Sequence, residues 1–251
     1  MAPAATRPTD GPHGLDPAIV WHDLECGGYR ADLPLWRELA AATTGPVLDI
    51  GAGTGRVAID LARHGTSVIA LDRDPVLLGE CARRARGLPV RTVLGDAREL
   101  ELKTPALGLC LVPMQTVQLL HPAGRVALLH AARAHTRPGG LLACALVGEL
   151  QLFDESLHVL PTPDKIQLGD VTYSSQPTAV RELDAHFVLE RRREICRGGH
   201  RTVQQDVIRL DRVTPDAFEL EAQAVGWQPE RPRQIPDTAD HVGSTVVMLR
   251  G

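Results

Sequence analysis

From Pro46 onward, short apolar runs alternate with longer amphipathic stretches. The runs PVLDI (46–50), SVIAL (67–71), VRTVL (90–94), LGLCLV (107–112) and LLACALV (141–147) read as strands. Helices are predicted between them near 55–64, 75–86 and 122–136, and another over LPLWRELAAAT (33–43) precedes them. A strand that is apolar on both sides must be covered on both faces. The pattern therefore predicts an α/β fold built on a doubly wound, mostly parallel sheet.

After Val147 the period changes. LDAHFVLERRREIC and RTVQQDVIRLDRV alternate polar and apolar residues, as half-exposed antiparallel strands do, and RGGH (197–200) supplies a hairpin turn between them. TPDAFELEAQAVGW places Thr214 as helix cap, Pro215 at the first helical position and Gly226 at the end, before a last strand STVVMLR. Four segments follow: a flexible N-terminal tail (1–28), an α/β core (29–147), an antiparallel cap or lid inserted after the fifth strand (148–212), and a C-terminal helix and strand completing the core sheet (213–251).

Composition narrows the function classes. The chain has 251 residues, 43% of them hydrophobic, enough for one substantial core. Its net charge of −4 gives no overall basic field for nucleic acid, so the expected partners are small molecules or proteins. Five cysteines lie far apart with no C-x-x-C pair, which argues against a disulfide framework or a zinc site and for a reducing, cytoplasmic compartment. The Pro-, Gly- and Ala-rich start has no apolar core, so neither a signal peptide nor a membrane segment is expected there.

The stretch VLDIGAGTGRVAIDLARHG (47–65) packs Gly51, Gly53 and Gly55 into five positions directly after a strand. A strand-to-helix reversal needs positive φ, a ligand needs close backbone approach, and the helix must start near the sheet. Dinucleotide sites make the same demands, and Gly53, Gly55 and Ala58 even match G-x-G-x-x-A. Asp49 discriminates between the ligands. A carboxylate at the strand end would face a pyrophosphate with like charge, whereas it suits a ligand carrying an ammonium and a sulfonium.

DIGAGTG resembles the first motif of class I S-adenosylmethionine-dependent methyltransferases of the small-molecule type, and the resemblance covers residues 29–147. It implies a Rossmann-like core and S-adenosyl-L-methionine as cofactor. VIALDRDP resembles the second-strand segment, where Asp72, with Arg73 beside it, would bind the ribose hydroxyls. VLGDAREL resembles the segment in which Asp96 and the Ala97 N–H meet the adenine, and LCLVPMQTVQLL the fourth strand and the loop under the methyl group, with Pro113 against the cofactor. Asp49, Gly51, Ala52, Gly53 and Gly55 complete the expected cofactor site.

Methyl transfer mainly requires a nucleophile held in line with the sulfonium, so no fixed catalytic triad is expected. Met114, Gln115 and Gln118 are candidates to lie near the methyl, and Tyr29 is a candidate lid. His121, His158 and Glu149 are candidate bases near the carboxyl edge of the sheet. His121 reads equally as a helix cap, and Gln115 equally as a loop amide bonded to backbone. The fourth strand ends in VPMQ without a carboxylate, so no metal is expected. The run ERRREICR (190–197) reads as exposed strand arginines or as the entrance for an acidic substrate.

The expected activity is methyl transfer to oxygen or nitrogen of a small molecule, with secondary-metabolite intermediates among the substrates the resemblance admits. A non-catalytic S-adenosylmethionine binder and an NAD(P)-dependent oxidoreductase stay open as alternatives, as does a homodimer.

Overall fold

A computed structural model describes residues 15–103, 106–156, 160–238 and 241–251. The core strands are β1 (Val47–Ile50), β2 (Val68–Asp72), β3 (Val90–Leu94), β4 (Leu107–Val112) and β5 (Thr136–Leu146). The helices are α1 (Pro17–Cys26), α2 (Leu33–Ala41), α3 (Arg56–Arg63), α4 (Pro75–Arg84) and α5 (Pro122–His135). The cap holds β6 (Asp164–Leu168), β7 (Val171–Leu183), β8 (His186–Arg197) and β9 (His200–Asp211). Helix α6 (Pro215–Ala224) and strands β10 (Gln228–Ile235) and β11 (Ser244–Arg250) end the chain.

One seven-stranded sheet runs in the order β3-β2-β1-β4-β5-β11-β10. Its first five strands pair in parallel, and β11 and β10 add antiparallel pairs at one side. Every residue of β1 and β4 is buried, as their apolar runs require with helices on both faces. Helix starts are punctuated by a side-chain cap followed by proline: Asp74 accepts from the N–H of Val76, His121 from Gly124 and Thr214 from Ala217. Strand order reverses at β1, between β2 and β4. In open α/β sheets the crevice at such a switch point, at the carboxyl ends of the strands, is where ligands bind.

The cap is a separate antiparallel sheet in the order β6-β7-β8-β9, so β6 and β7 join the two strands expected from the sequence. Two buried polar side chains fasten it to the core. The Gln118 amide donates to Val147 O at 3.1 Å and accepts from the Val147 N–H at 2.8 Å, and it also donates to Asp211 O at the end of β9. Arg125 of α5 donates to Asp211 at 2.8 Å and to Glu221 of α6 at 2.7 and 2.9 Å.

Part of the expected tail is ordered structure. Residues 1–14 lie outside the described residues, but Asp16 caps α1 through the Ala18 N–H, and buried Trp21 meets the Tyr173 ring edge-on at 5.1 Å. The apolar group Ile19, Val20 and Trp21 follows Asp16-Pro17 directly, which is a helix-start signal masked by the Pro- and Gly-rich residues before it. Strand β10 is a further departure. QPERPRQI holds two prolines, which an edge strand tolerates because one side of its backbone needs no partner. Among the described residues no helix is long and apolar enough to cross a membrane.

Candidate functional site

The glycine turn sits at the switch point. The N–H groups of Gly51 and Ala52 both donate to Leu71 O at 2.9 Å, and the Gly53 N–H donates to Oδ2 of Asp72 at 2.7 Å. The other Asp72 oxygen accepts from the Asp74 N–H at 2.9 Å, so this carboxylate holds the glycine turn and the next helix start together. Gly53 has φ +55, and a Cβ built on it would run into the imidazole of His22. Gly51 has φ +75, and its Cβ would lie 2.6 Å from Cγ2 of Thr116. What crowds these glycines is therefore the protein's own side chains. Helix α1 rests on the turn: His22 covers Gly53, and Asp23 accepts from the Thr54 hydroxyl at 2.7 Å and pairs with Arg84.

Asp49 is 1% exposed, and neither carboxylate oxygen has a hydrogen-bond partner. Burial pushes its pKa up to about 7, opposed by the nearby Arg56 guanidinium and by the Ala58 N–H, which lies too far out of line for a full hydrogen bond, and reinforced by Asp32 and Asp72. Arg56 does not pair with it, because both ends of its fork bind Asp32, at 2.6 and 2.7 Å. An unpaired buried carboxylate of this kind calls for a cationic group.

A cavity of about 370 Å³ opens above these residues. It brings together Asp49, Gly51, Ala52, Asp72, Arg73, Asp96, Ala97 and Pro113, with Met114 and Gln115 from the loop after β4. Met114 adopts φ +54, the one positive φ outside glycine among the described residues, and backbone of this kind collects at functional sites. Asp96 accepts from the Arg98 N–H and guanidinium, which holds its carboxyl down at about 2.

Other expected residues stand elsewhere. Gly53 and Gly55 shape the turn without lining the cavity, and Gln118 is the fastener between core and cap. Tyr29 is buried outside it, its ring 4.9 Å from that of His241 and under the Arg56 guanidinium at 5.2 Å, with its hydroxyl unpartnered. His121 accepts from the Gly124 N–H through Nδ1 at 3.2 Å, the capping role. Glu149 lies exposed in the connection after β5, and His158 is outside the described residues. Neither His121 nor Glu149 supplies a base to the cavity.

The arginines of 190–197 are not a free entrance for an acidic substrate. Arg193 binds Glu25 at 2.6 and 2.8 Å and Asp206 at 2.8 Å, and Arg191 binds Asp164 at 2.7 Å. These carboxylates neutralise the run and lash α1 to the cap.

Sequence reasoning missed His22 and Cys26 of α1, Arg56, and the cap residues Leu189, Ile208 and Leu210, all in the cavity lining. The alternation in β8 and β9 marks which cap side chains share a face. It carries no signal for the cavity that face covers.

Residues 47–140 match the family model described as methyltransferase domain. A malonyl-[acyl-carrier protein] O-methyltransferase of Xylella fastidiosa is 31% identical over 157 residues, 55% of this chain and 50% of that protein. A dimethyladenosine transferase of Schizosaccharomyces pombe is 30% identical over 132 residues, 45% of this chain and 42% of that protein. The chain thus spans about half the length of the curated relatives it matches. Among solved structures, an amino pentose methyltransferase from Micromonospora echinaspora superposes with TM-score 0.71 at 19% identity, over 92% of this chain and 97% of that one. A sugar N-methyltransferase from Streptoalloteichus does so with TM-score 0.72 at 16% identity, over 100% and 99%. At these identities the likeness is one of fold, and it includes the cap.

Proposed function

We propose, from the premise that residues 47–140 of this chain are a methyltransferase domain of the S-adenosylmethionine-dependent class I, that the protein transfers a methyl group from S-adenosyl-L-methionine to an oxygen or nitrogen of a small molecule. The observation that carries this reading is Asp49, a fully buried carboxylate without a partner beside the glycine turn. It fits the ammonium of the cofactor's amino acid part, whereas a dinucleotide pyrophosphate would meet it with like charge.

The other residues fit the same group. Asp72 already accepts from two backbone N–H groups, and a carboxylate with about four lone-pair sites has capacity left for two ribose hydroxyls. Asp96, the backbone of Ala97 and Arg73 line the same cavity and would meet the adenine end of the cofactor. Gly51, Ala52 and Pro113 bring only small side chains or none to the lining. There S-adenosylmethionine would supply a methyl group made electrophilic by its sulfonium, with Asp49, Asp72 and Asp96 as the residues that would hold it.

The chain's own work is then positioning. Met114 and Gln115, held by the loop after β4, line the cavity, and the Gln115 amide can orient an acceptor by hydrogen bond. Leu189, Ile208 and Leu210 of the cap line the same cavity. The fold neighbours named as an amino pentose methyltransferase and a sugar N-methyltransferase and the relative named as a malonyl-[acyl-carrier protein] O-methyltransferase differ in acceptor, which supports a small or carrier-presented acceptor class without choosing within it.

Calorimetric titration with S-adenosylhomocysteine, using NADH and NADPH as parallel ligands, tests the cofactor. Binding of the thioether alone is the expected result. Binding of a nicotinamide in its place would overturn the reading, and thioether binding without methyl turnover on any acceptor would leave a cofactor binder that is not an enzyme.

A further inference from the structure

The acceptor side of the cavity differs in chemistry from the cofactor side. Among the described residues, every titratable side chain in the lining belongs to α1 or to the segment from β1 to Asp96. The part of the lining that the cap supplies is aliphatic. Leu189 of β8 and Ile208 of β9 stand directly opposite each other in register, and Leu210 follows on the same face. Leu119, from the turn after Gln115, is 53% exposed, an apolar side chain left uncovered beside the cavity. The charged part of that cap face begins two register positions further out, at Arg191 and Asp206, where its charges are already paired.

A sugar has three or four hydroxyls to satisfy, and a protonated amino sugar also needs a carboxylate. Beside this wall the side chains able to answer them are the Gln115 amide and the Thr116 hydroxyl, which can only accept because its proton goes to Pro113 O. A hydroxyl buried against Leu119, Leu189, Ile208 and Leu210 without a partner weakens binding. Apolar surface buried there strengthens it.

Resting on the methyltransferase reading, we infer that the acceptor is a neutral, largely apolar molecule, aryl or aliphatic in body, that carries one nucleophilic hydroxyl or amine and binds between Leu119 and the Leu189–Ile208 pair. The chain therefore departs in substrate chemistry from fold neighbours named for amino sugars. Gln115 orients the nucleophile, and the cap wall recognises the body.

The test uses 2-naphthol as an apolar hydroxyl probe and D-glucosamine as a polar one, titrated into the full-length chain with and without saturating S-adenosylhomocysteine. Ile208→Asn is compared with Val207→Asn, whose position is 62% exposed, next along the same strand and pointing the other way. The expected result is that 2-naphthol binds the parent protein and glucosamine does not. Ile208→Asn weakens 2-naphthol at least tenfold, while Val207→Asn changes it less than twofold. S-adenosylhomocysteine affinity stays the same in all three proteins.

Tighter binding of glucosamine, no measurable binding of 2-naphthol, or equal 2-naphthol affinity in parent and Ile208→Asn would overturn the inference. If S-adenosylhomocysteine itself fails to bind, the cofactor reading falls, and the 2-naphthol series without it still decides the apolar wall by the same criteria. Leu119→Asn, at an exposed position, replaces Ile208→Asn if circular dichroism shows the latter unfolded.

Discussion

The Gly53 N–H reaches Oδ2 of Asp72 across 2.7 Å, which ties the tip of the glycine turn to the end of the neighbouring strand. The two residues are 19 apart in sequence, and their strands are paired in parallel through four registered positions just below. One carboxylate thus shapes the turn, starts the next helix and faces the cavity. Its two backbone bonds fix its orientation before any ligand arrives, which is how a site limits the ordering cost of binding.

Replacing that carboxylate by an amide separates shape from charge. Asp72→Asn keeps the side-chain size but loses the ionised acceptor. A hydrogen bond to a charged group contributes about 1.5–3 kcal/mol, so S-adenosylhomocysteine affinity is expected to fall roughly 10- to 150-fold. Titration calorimetry reads this directly. An unchanged dissociation constant would remove Asp72 from the cofactor site.

Gly53 and His22 are coupled. In Gly53→Ala the new Cβ meets the imidazole of His22, and the left-handed φ of +55 costs an L-residue about 1–2 kcal/mol besides. The substitution is expected to loosen α1 from the turn and lower the melting temperature. His22→Ala removes the steric part and leaves the backbone part, so the double variant should be more stable than the sum of the single effects requires. Additive melting shifts in the four-protein cycle would show that the ring yields without cost.

Gln118 offers a stability readout separate from the site. Gln118→Ala leaves the buried Val147 N–H without its acceptor, at about 1–3 kcal/mol, which for a chain of this length lowers the melting temperature by roughly 2–10 °C. S-adenosylhomocysteine affinity is expected to stay the same, since Gln118 does not line the cavity. A large loss of affinity with little change in melting would reverse these roles.

The parallel core was legible because its signals are local. Continuous apolar runs mark β1, β2 and β4, and Asp74-Pro75, His121-Pro122 and Thr214-Pro215 mark helix starts by side-chain capping. That Asp49 and Asp72 lie at the carboxyl ends of β1 and β2 was legible from the strand pattern, while the role expected of Asp72 came from the resemblance. The remainder depends on contacts between distant segments. Nothing in HDLEC (22–26) announces that His22 will cover a glycine or that Glu25 will bind Arg193, which lies 168 residues away. Leu189 meets Ile208 only once the 197–200 hairpin sets the register. For His121 the choice between base and cap turned on one hydrogen bond, to Gly124.

The protonation of Asp49 gives the site a pH dependence whose sign follows from burial. Its ordinary value of 3.8 is pushed up to about 7 in the folded chain. Between these values the folded state holds a proton that the unfolded state has released, so this group's contribution is present in full below about pH 4 and is lost as pH rises through about 7. Asp49→Asn removes that part of the pH profile of unfolding. Ligand binding runs the other way. A cationic ligand requires the ionised carboxylate, so S-adenosylhomocysteine affinity should fall as pH drops below about 7, by up to tenfold per unit, with proton release on binding. Calorimetry at pH 6 and pH 8, in two buffers of different ionisation enthalpy, measures both the affinity and the proton count. Equal affinity at the two pH values, with no buffer dependence of the heat, would mean that Asp49 does not pair with the ligand's ammonium, and the argument that separates this site from a dinucleotide site would lose its support.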